Sequence, residues 1–419
     1  MATTIAGRAK RARESAGGQS LIVWSVALLP YNILITIDNS FTFQSAVPSL
    51  GLMILGFLFG RKRITYSRFA LAIMSTFVLV TGIANGITLV TAPEMVTSNT
   101  LVRAIMVLAI VWYFATIISY TWDEDEVRFV VTAIALSLVA TVFLEIKQYV
   151  LMGAYGGRVY PNSLVGHKID ANFFALLVVL QISCAMYRAL FLKSFWGKLG
   201  LFILVGLGVV SIMLTGSRSG LLCSMLVVAL QCFVYYVRPR RGKLLTSLLL
   251  LLFLVILLIS MGNMLSDWMF NRFFVNSYDD GSNQFRVELW GKAVGRWASR
   301  PLFGYGVGNY NYFSAFDWGV DSIATTTHGT LTDFLVDFGI VGLSAFVSIL
   351  AKIVLLARKA GDGVLLAAMP GISICWVIVG AERTVALWLF LCVFYVIARY
   401  GTSERDLSPQ GEGSPVRGE

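Results

Sequence analysis

The sequence predicts an all-α, polytopic integral membrane protein with about twelve transmembrane helices. Of its 419 residues, 57% are hydrophobic and only 13% are charged, whereas soluble chains average about 45–50% apolar and 25% charged residues. A soluble fold could not bury that much apolar surface, because its own exterior must stay in contact with water. The same composition excludes a disordered chain, a collagen and a small disulfide scaffold.

Long apolar runs, each bounded by charged or turn residues, define the individual spans. A helix needs about 20 apolar residues to cross the hydrocarbon core. The runs cover residues 20–37, 43–60, 69–91, 101–120, 127–151, 171–192, 198–216, 219–237, 244–262, 331–357, 364–380 and 384–400. The first run follows a basic stretch without an A-x-A cleavage site behind it, which favours a retained anchor over a signal peptide.

The distribution of basic residues predicts which ends of the spans face the cytoplasm. The formal net charge is +10, and cytoplasmic loops of multi-span proteins retain Lys and Arg. With both termini inside, two thirds of the 33 basic residues fall in inner loops and tails. We therefore expect a basic cytoplasmic tail at 1–19, nine spans within 20–262, a periplasmic loop at 263–330, three spans within 331–400 and a disordered cytoplasmic tail at 401–419. Orientation accounts for most of the charge, so we expect no nucleic acid partner.

The cysteines and acidic residues indicate neither a disulfide nor a metal site. Five cysteines lie inside apolar runs, where they are expected to be packing residues: Cys184, Cys223, Cys232, Cys375 and Cys392. No D-x-D pair suits a divalent cation, and Asp279-Asp280 precedes a glycine in a loop, where solvated carboxylates are expected. The sequence thus predicts no metal and no cofactor.

Function is expected on the outer face, where basic residues are exceptional. Arg218 lies in Thr215-Gly-Ser-Arg-Ser-Gly220, a short polar turn between the seventh and eighth spans. An arginine at this depth costs a few kcal/mol unless it meets an anion or backbone carbonyls. Two interpretations stay open: the guanidinium reaches up to lipid headgroups, or it binds a phosphate through two hydrogen bonds.

Residues 284–300 predict one amphipathic helix lying in the interface plane. Its expected apolar face contains Phe285, Leu289, Trp290, Ala293, Val294 and Trp297. Arg286 falls near the boundary of this face, where it could point into a membrane-facing cleft. The alternative is a surface anchor whose cations only attract anionic lipid.

A glycine-rich turn follows this helix. Gly304, Gly306 and Gly308 do not fit G-x-G-x-x-G, and no strand–helix unit surrounds them, so a dinucleotide site is rejected. We expect these glycines to let a loop fold closely over the helices.

His328 is the candidate for proton transfer. It stands just before the tenth span, with Asp333 and Asp337 one and two turns further on. Neutral imidazole is the usual group that takes a proton from an alcohol near neutral pH. The alternative is a structural histidine with satisfied hydrogen bonds.

Three motifs occur in a characteristic order. Thr215-Gly-Ser-Arg-Ser-Gly220 opens a span, Arg286-Val-Glu-Leu-Trp290 leads into the glycine-rich turn, and His328 precedes Leu331-Thr-Asp-Phe-Leu-Val-Asp-Phe-Gly-Ile-Val-Gly-Leu343. Together with Arg158 and Asp170-Ala-Asn-Phe-Phe-Ala175, they resemble the O-antigen ligase and Wzy-type polysaccharide polymerase superfamily over residues 155–345.

The resemblance implies a bacterial inner-membrane enzyme of GT-C-like architecture whose active site faces the periplasm. Its implied reaction is metal-independent transfer of a glycan from an undecaprenyl diphosphate carrier to an acceptor sugar. The expected partners are this lipid-linked glycan, an acceptor glycan or glycolipid, the bilayer and other polysaccharide assembly proteins.

The resemblance also implies roles for individual residues. Arg218 and Arg286 would bind the diphosphate, and His328 would activate the acceptor hydroxyl. The supporting candidates are Arg158, Ser217, Ser219 and Asp333. The family often has Asn after its histidine, whereas this chain has Gly329, so the side-chain amide that would stand beside His328 is missing.

Two alternatives to the favoured polymerase stay open. A ligase would move the finished glycan to lipid A core, and the modest outer loop without an acceptor module favours a polymerase of O-antigen or exopolysaccharide. Twelve spans also suit a polysaccharide transporter or flippase, which would need ionisable residues near the bilayer midplane. Arg103, Glu145 and Lys147 are instead expected near span ends.

Overall fold

The computed structural model describes residues 20–36, 43–59, 64–96, 98–152, 159–237, 281–309, 329–379 and 384–401. These ranges are almost entirely helical, and their only β pairings are two isolated bridges, Ile64–Tyr120 and Asn162–Lys168. The α-helices in them are α1 (Leu21–Leu28), α2 (Phe43–Phe59), α3 (Arg68–Thr91), α4 (Ser98–Ser119), α5 (Glu124–Met152), α6 (Ala171–Phe191), α7 (Phe195–Thr215), α8 (Arg218–Val237), α9 (Gly281–Ser299), α10 (Thr330–Ala360), α11 (Gly363–Ile378) and α12 (Val385–Tyr400).

The predicted all-α, polytopic membrane fold is confirmed. Within the described ranges, seven helices are long and apolar enough to cross a membrane: α3 to α8 and α10. Four apolar elements of 10–17 residues accompany them: α1 with the 3-10 turn Leu29–Ile35 that continues it, α2, α11 and α12. The ninth predicted span, 244–262, lies outside the described residues.

Contacts between helix ends show how the bundle is arranged. At one end, the Val159 N–H donates to the Leu214 carbonyl (3.0 Å) and the Thr88 hydroxyl to the Tyr305 carbonyl (2.7 Å). At the other, the Tyr400 hydroxyl donates to the Tyr120 carbonyl at 3.2 Å. We call the first end the Arg218 end, because α8 begins there; α6 and α10 begin at the same end.

α6 lies at the centre of the bundle, and nearly all of its residues are buried. Glycines let neighbouring helices approach it closely: a Cβ on Gly208 of α7 would lie 3.0 Å from Ile182, and one on Gly220 of α8 would lie 2.7 Å from the Ala175 Cβ. The five cysteines are free and buried, as predicted.

α10 contains a break that a neighbouring loop completes. Gly339 has left-handed φ of 64°, so the helix is interrupted there. The N–H groups of Tyr305 and Gly306 donate to the carbonyls of Val336 (2.7 Å) and Asp337 (3.0 Å). Because backbone groups at membrane depth need partners within the protein, the loop supplies hydrogen bonds that an unbroken helix would make internally.

The same loop confirms the expected role of its glycines. Gly304, Gly306 and Gly308 all have positive φ, at 71°, 90° and 86°. A Cβ on Gly306 would collide with the Asn85 side chain, and one on Gly308 would lie 2.9 Å from Cδ of Arg103. The loop therefore folds directly against α3, α4 and α10.

Candidate functional site

The turn containing Arg218 stops one helix and starts the next. Gly216 adopts the left-handed conformation at the end of α7 (φ 63°). The Ser217 hydroxyl then accepts a hydrogen bond from the Gly220 N–H at 3.3 Å, which caps α8. Arg218 is therefore the first residue of α8, and its side chain is half-buried.

A second helix start lies beside this turn. The Ser217 hydroxyl donates to Oδ1 of Asn172 at 3.2 Å. Asp170 caps α6, because its Oδ1 accepts from the N–H groups of Asn172 (2.8 Å) and Phe173 (3.4 Å). Two helix N-termini thus adjoin Arg218, and helix N-termini favour bound anions.

The predicted amphipathic helix is confirmed as α9, although its buried stripe is narrower than expected. Leu289 and Ala293 are fully buried. Val294, which we expected on the same face, is 45% exposed. Ala293 packs with Val336 of α10, and Trp297 packs against both.

Successive contacts run in the same direction along α9 and α10. Trp290 lies against Gly329, the residue before α10, and Ala293 packs further along against Val336. Arg286 is four residues before Trp290 and therefore lies on the same face, one turn earlier. By this order the half-buried Arg286 lies about one turn before the level of Gly329, near the start of α10.

The C-terminal end of α11 lies between the start of α8, which carries Arg218, and the start of α10, near which Arg286 lies. α11 packs antiparallel to α8, and a Cβ on Gly371 would lie 3.0 Å from the Cys223 carbonyl. This register brings Val379, two turns beyond Gly371, to the level of Arg218. On its other side, the Thr330 hydroxyl donates to the Val379 carbonyl at 3.0 Å. The starts of α8 and α10 therefore flank one helix end.

Of the other candidate residues, the structure describes some and not others. Ser217 is buried and Ser219 half-buried, beside Arg218. Asp333 is buried in the first turn of α10, where its N–H donates to the Gly329 carbonyl at 2.9 Å. Arg158, Asp279-Asp280 and His328 lie outside the described residues.

The structure brings to the Arg218 turn two residues for which the sequence indicated no role, Asp170 and Asn172. The available signal was the position of Asp170 directly before an apolar run, which is typical of a helix cap. The contact between Asn172 and Ser217 joins residues 45 positions apart, so no local pattern could predict it.

Arg300 shows that outer arginines also have structural roles. Its guanidinium donates to the Thr88 hydroxyl (2.7 Å) and the Thr91 hydroxyl, and it lies 4.4 Å from the centre of the Tyr305 ring. These contacts fasten the glycine-rich loop to the end of α3.

The structure adds the burial of one ionisable residue to what the sequence indicated. Glu145, which we expected near a span end, lies two turns before the C-terminal end of α5 and is fully buried. Its two carboxylate oxygens have no hydrogen-bond partner in the part of the chain that the structure describes. The positions of ionisable residues therefore argue less strongly against a transporter than the sequence suggested.

The fold and the polar groups at the Arg218 end define a multi-span helical membrane protein with a candidate anion site. Residues 201–347 match the family model described as O-Antigen ligase, Wzy_C. This range includes Arg218, Arg286 and the first half of α10, and the match confirms the predicted superfamily. Over these residues the chain is similar to an O-antigen ligase domain, and the match points to an enzyme of the glycosyl-transfer type, a ligase or a polymerase, with lipid and glycan substrates. No curated protein compared with the chain matches it.

Proposed function

We propose that this protein transfers a glycan from undecaprenyl diphosphate to an acceptor sugar at the periplasmic face of the bacterial inner membrane. The observation that carries the proposal is the arrangement around the end of α11. Arg218 lies at the start of α8 on one side, and the face of α9 that bears Arg286 meets the start of α10 on the other.

In this proposal, the two arginines bind the diphosphate of the donor. Cleavage of the sugar–diphosphate bond leaves negative charge on the diphosphate, and preorganised guanidinium groups stabilise that charge in a site with little water. The N-terminus of α8 adds to the positive potential around Arg218, and the Ser217 and Ser219 hydroxyls support the same group. A lipid-anchored diphosphate also accounts for half-buried arginines at interface depth.

His328 is proposed to act on the acceptor. Its imidazole takes the proton of the acceptor hydroxyl while the oxygen attacks the anomeric carbon and the diphosphate leaves. Asp333 follows in the first turn of α10 and is proposed to orient the imidazole, while Arg158 supports the donor. The two guanidinium groups supply the positive charge of the transition state, so the proposed mechanism needs no metal.

We infer that the protein is a polymerase of O-antigen or exopolysaccharide. The second candidate is a ligase that moves the finished glycan to lipid A core, and the description of the matching family as O-antigen ligase supports it. Product length separates the two. Loss of a polymerase leaves single repeats on the acceptor, whereas loss of a ligase leaves long polymer on the lipid carrier.

Reconstitution with a defined lipid-linked repeat tests the proposed reaction. Purified protein in lipid nanodiscs should transfer the repeat, whereas a flippase would form no new glycosidic bond. We expect Arg218→Ala, Arg286→Ala and His328→Ala each to lower transfer by at least about 100-fold, in line with the loss of a main transition-state contact.

Lys292→Ala is the matched control, because this cation lies on the same helix as Arg286 and pairs with Glu288 at 3.4 Å. Its activity should stay near that of the wild type. Full activity in all three test variants, with equal amounts of folded protein, would contradict the proposed site.

A further inference from the structure

The contact between Trp290 and Gly329 joins α9 to the start of α10. A Cβ on Gly329 would lie 2.7 Å from Nε1 of Trp290 and 2.8 Å from Oγ1 of Thr332. The backbone of Gly329 is extended, with φ −154° and ψ 118°, a conformation that any residue adopts. Glycine is therefore required here by the space that the indole occupies and not by backbone conformation.

Gly329 is confined from two directions. The Thr332 hydroxyl donates to the Gly329 carbonyl at 2.8 Å, and the next residue, Thr330, donates to the carbonyls of Trp376 (2.7 Å) and Val379 (3.0 Å). The indole lies against the position that a Cβ would occupy. Its Nε1 is buried and has no hydrogen-bond partner among the described residues, so the ring is fixed there by shape.

The same contact determines where Arg286 lies. Arg286 and Trp290 are one turn apart on one face of α9. Further along the same helix pair, Ala293 of α9 packs with Val336 of α10. A shift of Trp290 along α10 would therefore carry Arg286 with it.

We propose that Trp290 is a positioning residue, and that Gly329 is the seat that holds its indole and thereby places Arg286 at the start of α10. The inference rests on the proposed function in one respect, since the ligand of Arg286 is taken to be the donor diphosphate. A displaced Arg286 weakens donor binding, because an ångström of misplacement is enough to impair an oriented contact. The expected effect falls mainly on the KM for the lipid-linked donor.

Three variants test the contact in purified protein with a lipid-linked donor. Gly329→Ala should lower kcat/KM at least about tenfold, chiefly through KM. Trp290→Phe should cost only a few-fold, because Phe keeps a flat ring and lacks Nε1. The double variant Trp290→Phe with Gly329→Ala should be at least about fivefold more active than Gly329→Ala. Rescue stays partial because Oγ1 of Thr332 still faces the added methyl group.

Gly291→Ala is the control on the same helix, since a Cβ there meets no atom within 4 Å. It should stay within about twofold of the wild type. Wild-type kcat/KM in Gly329→Ala, or a double variant no more active than Gly329→Ala, would overturn the proposal. An unchanged KM accompanied only by a lower thermal unfolding midpoint would overturn it as well, because the contact would then serve stability alone.

The thermal unfolding midpoints of all variants separate this inference from the proposed function. If the wild type transfers nothing from the lipid-linked donor, the proposed function fails. Non-additive midpoints in the double variant would still support the seat, and additive midpoints would refute it.

Discussion

The arginines at the Arg218 end have different roles because their neighbours make different contacts with them. Arg300 is engaged by two threonine hydroxyls and an aromatic ring, whereas Arg218 begins a helix beside a second helix N-terminus. Ser217 connects these two starts, because its hydroxyl both caps α8 and contacts Asn172. Ser217 therefore holds in place the turn that carries Arg218.

Ser217→Ala is expected to loosen the start of α8. Loss of a helix cap costs about 1 kcal/mol, and Asn172 loses its partner at the same time. The thermal unfolding midpoint in detergent should fall by several degrees, and the KM for the lipid-linked donor should rise. Ser224→Ala is the control on the same helix, because the Ser224 hydroxyl donates to the Leu221 carbonyl within α8 at 2.8 Å; an equal effect of both changes would show that the cap is not the cause.

Glu145→Gln is expected to leave the protein folded and at least as stable. An unpaired charge at a fully buried position would cost several kcal/mol, and Gln has the same shape without a charge. The measurement is the unfolding midpoint at pH 8, with Glu145→Ala as the control that leaves a cavity. A large loss of stability in Glu145→Gln would show that the carboxyl has a charged partner.

At the scale of elements, α10 and the glycine-rich loop form one unit. The break at Gly339 exposes carbonyls that Tyr305 and Gly306 satisfy, and Ile340 N–H in turn donates to the Pro301 carbonyl at 2.9 Å. A broken helix in a membrane protein is stable only with such a partner. The loop therefore aligns the end of α9 with α10, two to three turns beyond the contact between Trp290 and Gly329.

Gly339→Ala is expected to destabilise this unit strongly. The combination of φ 64° and ψ −167° is essentially restricted to glycine and costs a residue with a Cβ about 1–3 kcal/mol, and the added methyl group would collide with the Leu302 carbonyl. Gly86→Ala on α3 is the control, because its Cβ would meet nothing within 4 Å. The yield of folded protein after size-exclusion chromatography should fall for Gly339→Ala alone; equal yields would contradict the account of the break.

At the scale of the whole molecule, the bundle brings every candidate residue that the structure describes to one end. The positive-inside pattern predicts that this end faces the periplasm. The buried native cysteines leave little background for thiol labelling, so orientation can be measured directly in cells.

Leu164→Cys should react with a membrane-impermeant maleimide in intact cells, whereas Trp196→Cys should react only after permeabilisation. The two positions are 54% and 77% exposed and lie at opposite ends of the bundle. The reverse labelling pattern would place the Arg218 end in the cytoplasm and would contradict transfer at the periplasmic face.

Much of this architecture was predictable because it depends on local pattern. Apolar runs predict the spans, helical spacing predicts α9, and clustered glycines predict a closely packed loop. The burial of Glu145 was not predictable from the sequence, because only packing reveals which side of α5 the neighbouring helices cover. The exposure of Val294 likewise depends on how far α10 covers α9.

The sequence by itself determined the solvent of this protein, its helical class, its superfamily and the residue types available for phosphate chemistry, because hydrophobicity and short motifs are properties of the chain alone. Tertiary structure decided that the starts of α8 and α10 flank the end of α11, and that an indole occupies the space beside Gly329. These arrangements join residues distant in the chain, so they depend on the space and hydrogen-bond partners that the folded bundle provides.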